Sequence, residues 1–314
     1  MRILVTGSAG HLGEALMRTL QNSHHETVGL DIKRSALTDQ VGSVADRSFV
    51  KQCMRSADAV VHTATLHKPH ISTHARQDFV DTNITGTLNL LEEAVSAGVG
   101  AFVFTSTTST FGRALIPPEG EPAAWITEEV ACLPKNMYGT TKLSAEHLCE
   151  MFHYTSGLPC IVLRTSRFFP EADDDRSVRE AYDDDNAKIN EFLYRRVDIE
   201  DVVAAHLLAI EKAPTVGFDR FIISATSPFS VDDLRELRSD APSVVRRYAP
   251  RYEGEYARRR WSMAPRIDRV YYNGKARAHL GWQPRYDFGF VIERLCLSED
   301  YRSPVARLIG AKGY

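Results

Sequence analysis

The chain has 314 residues, 43% of them hydrophobic, a formal net charge of −3 and five cysteines. That length allows one large or two moderate domains, and the charge gives no reason to expect a nucleic-acid partner. No apolar run is long enough to span a bilayer, and Cys53, Cys132, Cys149, Cys160 and Cys296 lack the Cys-x-x-Cys spacing of a zinc ribbon or the density of a disulfide framework. The first residues lack the layout of a signal peptide, so a cytoplasmic protein with no membrane partner is expected.

In chain order, a strand near 2–6 breaks into Gly7, Gly10 and Gly13 and then into a helix from about His11. Phosphate binding is the natural use of such a turn. Gly7 lets the chain leave the strand sharply, Gly10 lets backbone N–H groups approach an anion, and Gly13 lets helix and strand pack closely. The helix then offers its positive end to the anion. A second strand at 26–31 ends on Asp31, where a ribose-binding carboxylate belongs. Such an acid repels a 2′-phosphate and favours NAD over NADP, although Lys33 and Arg34 beside it blur the preference. Strands follow near 58–62, 101–106 and 159–164, with helices between them. Leu88, Leu91, Ala94 and Val95 give Asp81 to Ala97 a helical period, closed by Gly98.

This alternation specifies an α/β fold of Rossmann type, a doubly wound parallel sheet. Beyond about residue 165 it decays into acidic loops, Asp173 to Asp175 and Asp183 to Asp185, and an arginine-dense stretch from Arg235 to Arg269. Residues 1–165 are therefore expected to form an NAD-binding domain, its sheet completed by segments near 195–226. Residues 166–314 are expected to form mainly a smaller α/β substrate lobe. The acidic triplets lack the glycine and spacing of a calcium loop. His62, His67, His70 and His74 are close in sequence but have no Cys or acid at ligand spacing, so no metal is expected.

Tyr138 and Lys142 stand four residues apart where the chain enters a helical stretch, which places both on one helix face. A phenol is a poor base near neutrality, with a pKa of about 10. An ammonium one turn away favours the phenolate, so the pair can exchange a proton with an alcohol or a carbonyl.

Taken together, Thr6-Gly7-x-x-Gly10-x-x-Gly13, Asp31, His62-x-Ala64, Asn83-x-x-Gly86, Ser106-Thr107 ahead of Phe111-Gly112, Tyr138-x-x-x-Lys142 and Leu280-Gly-Trp-Gln-Pro284 resemble the extended short-chain dehydrogenase/reductase family. This is the NAD-dependent epimerase/dehydratase family, and the likeness runs in order through about residues 1–165. It implies hydride exchange between a secondary alcohol carbon and nicotinamide. By that resemblance Thr107 hydrogen-bonds the reacting hydroxyl, with Ser106 or Thr108 able to share the task. Tyr138 is the acid/base, and Lys142 tunes it and holds the cofactor ribose. The remaining cofactor contacts implied are His11 and Leu12 beside the glycines, Ile32 after Asp31, Ser43 and Val44 near adenine, Thr63 and Ala64, and Asn83. The resemblance also implies a homodimer, with helices around 73–97 and 138–156 paired across a four-helix bundle.

Departures from the family pattern narrow the chemistry. Sugar 4,6-dehydratases carry an Asp-Glu pair after the catalytic threonine, whereas this chain has Thr108-Ser109, which disfavours water elimination. Ser43 stands where the family places an adenine-recognising aspartate, and Asp46 is expected only to cap the next helix. Arg167 replaces the asparagine of nucleotide-sugar epimerases. Arg164-x-x-x-x-x-Pro170-Glu171 followed by Arg176 is similar to the substrate segment of uronate dehydrogenases, where an arginine clasps a sugar carboxylate. The expected partner is thus an anionic sugar or nucleotide sugar, met by Thr108, Arg167 and Arg176. Three functions are weighed: an NAD-dependent sugar dehydrogenase, a nucleotide-sugar epimerase with tightly bound NAD, and a non-catalytic NAD-sensing protein. For most arginines of the 235–269 stretch a solvated or acid-paired surface is expected.

Overall fold

Every strand pairing in the computed structural model, which describes residues 1–313, is parallel. The main sheet has the order β3-β2-β1-β4-β5-β7-β8. Its strands are β1 (Arg2–Thr6), β2 (Glu26–Asp31), β3 (Gln40–Val41), β4 (Ala59–His62), β5 (Ala101–Thr107), β7 (Cys160–Thr165) and β8 (Phe218–Ile223). The strands read from the sequence are all present, because β4 and β7 are buried along their whole length and show as continuous apolar runs.

Two-residue periodicity sorts these strands onto two covered faces. Ile3, Val5, Ala59, Val61, Val103, Ile161 and Leu163 point one way, against the helices His11–Gln21 and Ile199–Val216. Leu4, Val60, Phe102, Phe104, Cys160 and Val162 point the other way, against Arg47–Cys53, Gly86–Ala97 and Met137–Ser156. The helix expected over 81–97 differs in its first half. A short α turn at Arg76–Phe79 passes through a π-helical stretch, Val80–Thr85, before the regular helix begins at Gly86. That widened turn holds Asn83, whose side chain reaches inward to bond the Thr65–Leu66 loop. Gly98 closes the helix in the left-handed conformation at φ +69°.

The chain after Thr165 builds a second core of Ile189, Leu193, Leu237, Val244, Val270, Val291 and their neighbours. It also supplies β9 (Arg269–Tyr271), which pairs with β6 (Ala124–Ile126) from earlier in the chain to form a two-stranded sheet. The Leu280-Gly-Trp-Gln-Pro284 element ties this region to the first domain. Buried Trp282 donates its indole N–H to the Asp201 carbonyl at 2.9 Å, and the Asp201 carboxylate accepts the N–H groups of Arg285 and Tyr286 at 2.9 Å. The sheet order reverses between β1 and β4, so a crevice opens beyond their carboxyl ends. No helix among the described residues is long and apolar enough to cross a membrane.

Candidate functional site

A cleft of about 840 Å³ occupies that crevice and extends to the second lobe. Its floor is the glycine turn. Gly7 sits at φ +74°, and a Cβ there would lie 2.7 Å from the Ala64 backbone nitrogen. A Cβ on Gly13 would lie 1.9 Å from the Gly7 carbonyl oxygen, so the helix begins as close to the strand as backbone allows. Gly10 is the N-cap of the helix and no side chain caps it, which leaves first-turn N–H groups pointing at the cleft without protein acceptors. A bare helix terminus behind side-chain-free glycines fits a dinucleotide pyrophosphate.

Asp31 terminates β2 at one end of the cleft, with Ile32, Ser43 and Val44 beside it. Its carboxylate accepts the Ala9 N–H at 2.9 Å and the Lys33 N–H at 2.8 Å. Each oxygen keeps a second acceptor site for a ribose hydroxyl. The Ser43 hydroxyl accepts the Ala45 N–H, and Asp46 caps its helix by accepting the Phe49 N–H at 3.1 Å. Thr63 donates to the Thr6 carbonyl at 2.7 Å and the Ala64 N–H donates to the Thr6 hydroxyl, fixing the wall opposite Gly7. His62 is buried between the hydroxyls of Thr6 and Thr87, and burial, with the Lys142 charge nearby, holds its pKa well below the usual imidazole value.

At the other end β5 delivers Thr107, three strands from β2 and so about 14 Å across the sheet. The Thr107 oxygen accepts the Ser109 N–H at 3.1 Å, and both Thr107 and Tyr138 line this end of the cleft. Thr108 lines the cleft beside it. The neighbouring hydroxyls are engaged elsewhere: Thr105 with His206 at 2.8 Å, and Ser106 with Glu146. Asn136 caps the helix Met137–Ser156 by accepting the Gly139 N–H, which sets Tyr138 in the first turn at the cleft wall.

The Tyr138–Lys142 pair differs from the electrostatics expected of it. Burial pushes the Tyr138 phenol up to about 12, with the nearby Thr107 side chain working in the opposite direction. Lys142 is buried and does not line the cleft; its Nζ sits 3.9 Å above the Phe104 ring. Burial brings that ammonium down to about 7 in spite of the Glu146 carboxylate one turn on. Glu146 itself is locked by Arg164, whose NH2 group donates to it at 2.8 Å.

Two further residues expected at the site lie off the cleft surface. Asn83 spends its amide on Thr65, Leu66 and Thr141. Arg176 is 82% exposed and pairs with Glu180 at 2.6 Å, far from a clasping posture. Arg167 does line the cleft, but Asp173 at 2.6 Å, Asp174 and Glu191 already surround its guanidinium. Of the arginine-dense stretch, Arg238, Arg246, Arg247, Arg258 and Arg259 pair with acids at or near the surface.

Several contacts at and around the cleft join residues far apart in the sequence. The His11 ring bonds Glu171 at 2.8 Å, and Glu171 also accepts the Lys312 N–H at 2.9 Å. Burial alone would raise that carboxyl, yet these donors hold it at about 2. His67 stacks on Phe169 at 5.4 Å, and Arg269 and Tyr271 enter from β9. Among the described residues no group of three His, Cys, Asp or Glu side chains is arranged to hold a metal ion.

Known proteins share both the sequence pattern and the architecture. The chain is 28% identical over 335 aligned positions to a UDP-glucose 4-epimerase of Streptomyces lividans, covering 93% of this chain and 94% of that protein. Among solved structures, a short-chain dehydrogenase/reductase superfamily protein from Agrobacterium tumefaciens with bound NAD superposes with a TM-score of 0.67 at 22% identity, over 95% of this chain and 97% of that one. A mutated uronate dehydrogenase superposes with a TM-score of 0.65 at 21% identity, over 96% and 88%. The family profile of NAD dependent epimerases and dehydratases matches residues 3–221, and the chain belongs to the NAD dependent epimerase/dehydratase family.

Proposed function

We propose that this protein oxidises a secondary alcohol of a sugar or sugar acid, passing hydride to NAD. The observation that carries this reading is that Thr107 and Tyr138 line the same cleft as the glycine turn and Asp31. Asp31 takes the adenosine ribose on its remaining acceptor sites, and the first-turn N–H groups after Gly10 take the pyrophosphate. Bound NAD supplies the hydride acceptor. Thr107 orients the substrate hydroxyl and Tyr138 removes its proton, leaving a carbonyl on the sugar. A phenol near 12 needs a cation to act as a base, and Lys142, one helical turn away, supplies it on leaving the Phe104 ring.

Net oxidation is favoured by the short stretch between Thr165 and Arg196 and by Arg167 in the place of the epimerase asparagine. A second reading, epimerisation of a nucleotide sugar with retained NAD, is favoured by the alignment to a UDP-glucose 4-epimerase along nearly its whole length. A product assay separates them. Accumulation of NADH with a simple sugar or uronate supports the dehydrogenase; conversion of a UDP-sugar to its epimer with only catalytic NAD overturns it. We further infer a homodimer through the helices Gly86–Ala97 and Met137–Ser156, which carry exposed Val95, Met151 and Tyr154. Light scattering that finds only monomer contradicts this.

A further inference from the structure

Three arginines line the cleft: Arg167, Arg195 and Arg269. Two are neutralised within the protein. Arg167 pairs with Asp173 at 2.6 Å, and Arg195 pairs with Glu191 at 2.6 Å and Asp173 at 3.1 Å. The Arg269 side chain forms no ion pair or hydrogen bond among the described residues, and its Nε is buried with no acceptor. Its guanidinium carbon lies 5.8 Å from the Tyr194 ring, which supports the side chain without discharging it.

Strand geometry aims this group. On β9, Val270 joins the core of the second lobe, so Arg269 and Tyr271 project to the opposite face, and both line the cleft. Pairing with β6 fixes that register, setting Arg269 against Ala124 and Tyr271 against Ile126. The Tyr271 ring lies 6.5 Å from that of Phe111, in the turn that follows Thr107. Arg269 therefore faces the Thr107–Tyr138 end of the cleft, not the Asp31 end. The other cleft cations are accounted for. Lys68 pairs with Asp174 and Lys312 with Glu14, while Lys33 and Lys135 are solvent-exposed.

A guanidinium presents a planar fork that matches a carboxylate or phosphoryl group, and one left without an acid lacks the acceptors it is built to meet. We propose that Arg269 binds the anionic group of the sugar substrate, a carboxylate or a phosphoryl group, and thereby selects anionic over neutral sugars. This rests on the cleft being a sugar site. It transfers to Arg269 the role that the sequence suggested for Arg167 and Arg176.

The test is calorimetric titration of the full chain, saturated with NADH so that no oxidation occurs, in wild type, Arg269→Met and Arg269→Lys. Three probes separate the sources: galacturonate carries a carboxylate, UDP a diphosphate, and galactose no charge. Wild type is expected to bind at least one anionic probe tenfold or more tightly than galactose. Arg269→Met is expected to lose at least tenfold for that probe alone, with galactose and NADH affinities unchanged, and Arg269→Lys to recover part of the loss. Absence of an anion preference in wild type, or its survival in Arg269→Met, overturns the proposal. Where Arg269→Met does not fold, wild-type affinity in Arg269→Lys overturns it. Anion selectivity that depends on Arg269, in a protein that oxidises no sugar, defeats the dehydrogenase reading and leaves this one standing.

Discussion

Replacing Gly13 with alanine tests whether the glycine turn is an anion cradle held by close packing. The new Cβ meets the Gly7 carbonyl oxygen at 1.9 Å, its carbon at 2.6 Å and the Ser8 Cα at 2.9 Å, all of them backbone or backbone-fixed atoms. Reaching the shortest tolerated separation of 3.0 Å from 1.9 Å requires an opening of about 1.1 Å between turn and helix. Overpacking of this kind costs about 1–3 kcal/mol of stability. The same displacement withdraws first-turn N–H groups from the pyrophosphate. Losing one charge-assisted hydrogen bond costs about 2 kcal/mol, which is roughly a thirty-fold rise in Kd. Fluorescence titration with NADH and urea unfolding read the two effects separately. Gly98→Ala is the control: it adds a Cβ in open space at φ +69°, so it costs stability and leaves NADH binding unchanged. A Gly13→Ala protein with wild-type NADH affinity refutes the close-packed cradle.

Two further substitutions probe the charges behind the site. Lys142→Met removes a buried ammonium from the Phe104 ring, so it is expected to raise Tm by a few degrees at neutral pH while abolishing sugar oxidation. Because the folded pKa of about 7 lies below the unfolded value of about 10.4, the ammonium penalty is complete below pH 7 and fades as pH rises through that interval. The advantage of the variant should shrink accordingly in melts taken at rising pH. A variant less stable than wild type at pH 7 contradicts this. Glu146→Ala leaves Arg164 buried without its partner and is expected to cost about 3–5 kcal/mol in urea unfolding; a loss below about 1 kcal/mol shows that the pair is not the anchor of this helix.

What the sequence made legible follows from how local each feature is. The parallel strands were readable because both faces of the sheet are covered, so Val60 and Val61 are equally buried. The glycine turn and the Tyr138 position depend on short-range spacing and were readable for that reason. The π-helical turn at Val80–Thr85 left no trace in the apolar period; the Asn83 side chain it carries bonds a loop distant in sequence. The resting place of Lys142 depends on Phe104, from a different element. Arginine function was the least legible. Arg167, Arg176 and Arg269 are chemically identical in sequence, and only the fold shows that Asp173 and Glu180 occupy the first two while the third faces the cleft alone.

The most direct test of the central claim, that Tyr138 takes the substrate proton as hydride leaves, is stopped-flow absorbance of reduced nicotinamide in a single turnover. Enzyme and NAD are mixed with whichever sugar acid the wild type oxidises, in wild type and Tyr138→Phe, with NAD affinity measured in parallel. The account predicts NAD binding within twofold of wild type and a turnover slower by about 10²–10⁴-fold. Formation of NADH by Tyr138→Phe at the wild-type rate contradicts it.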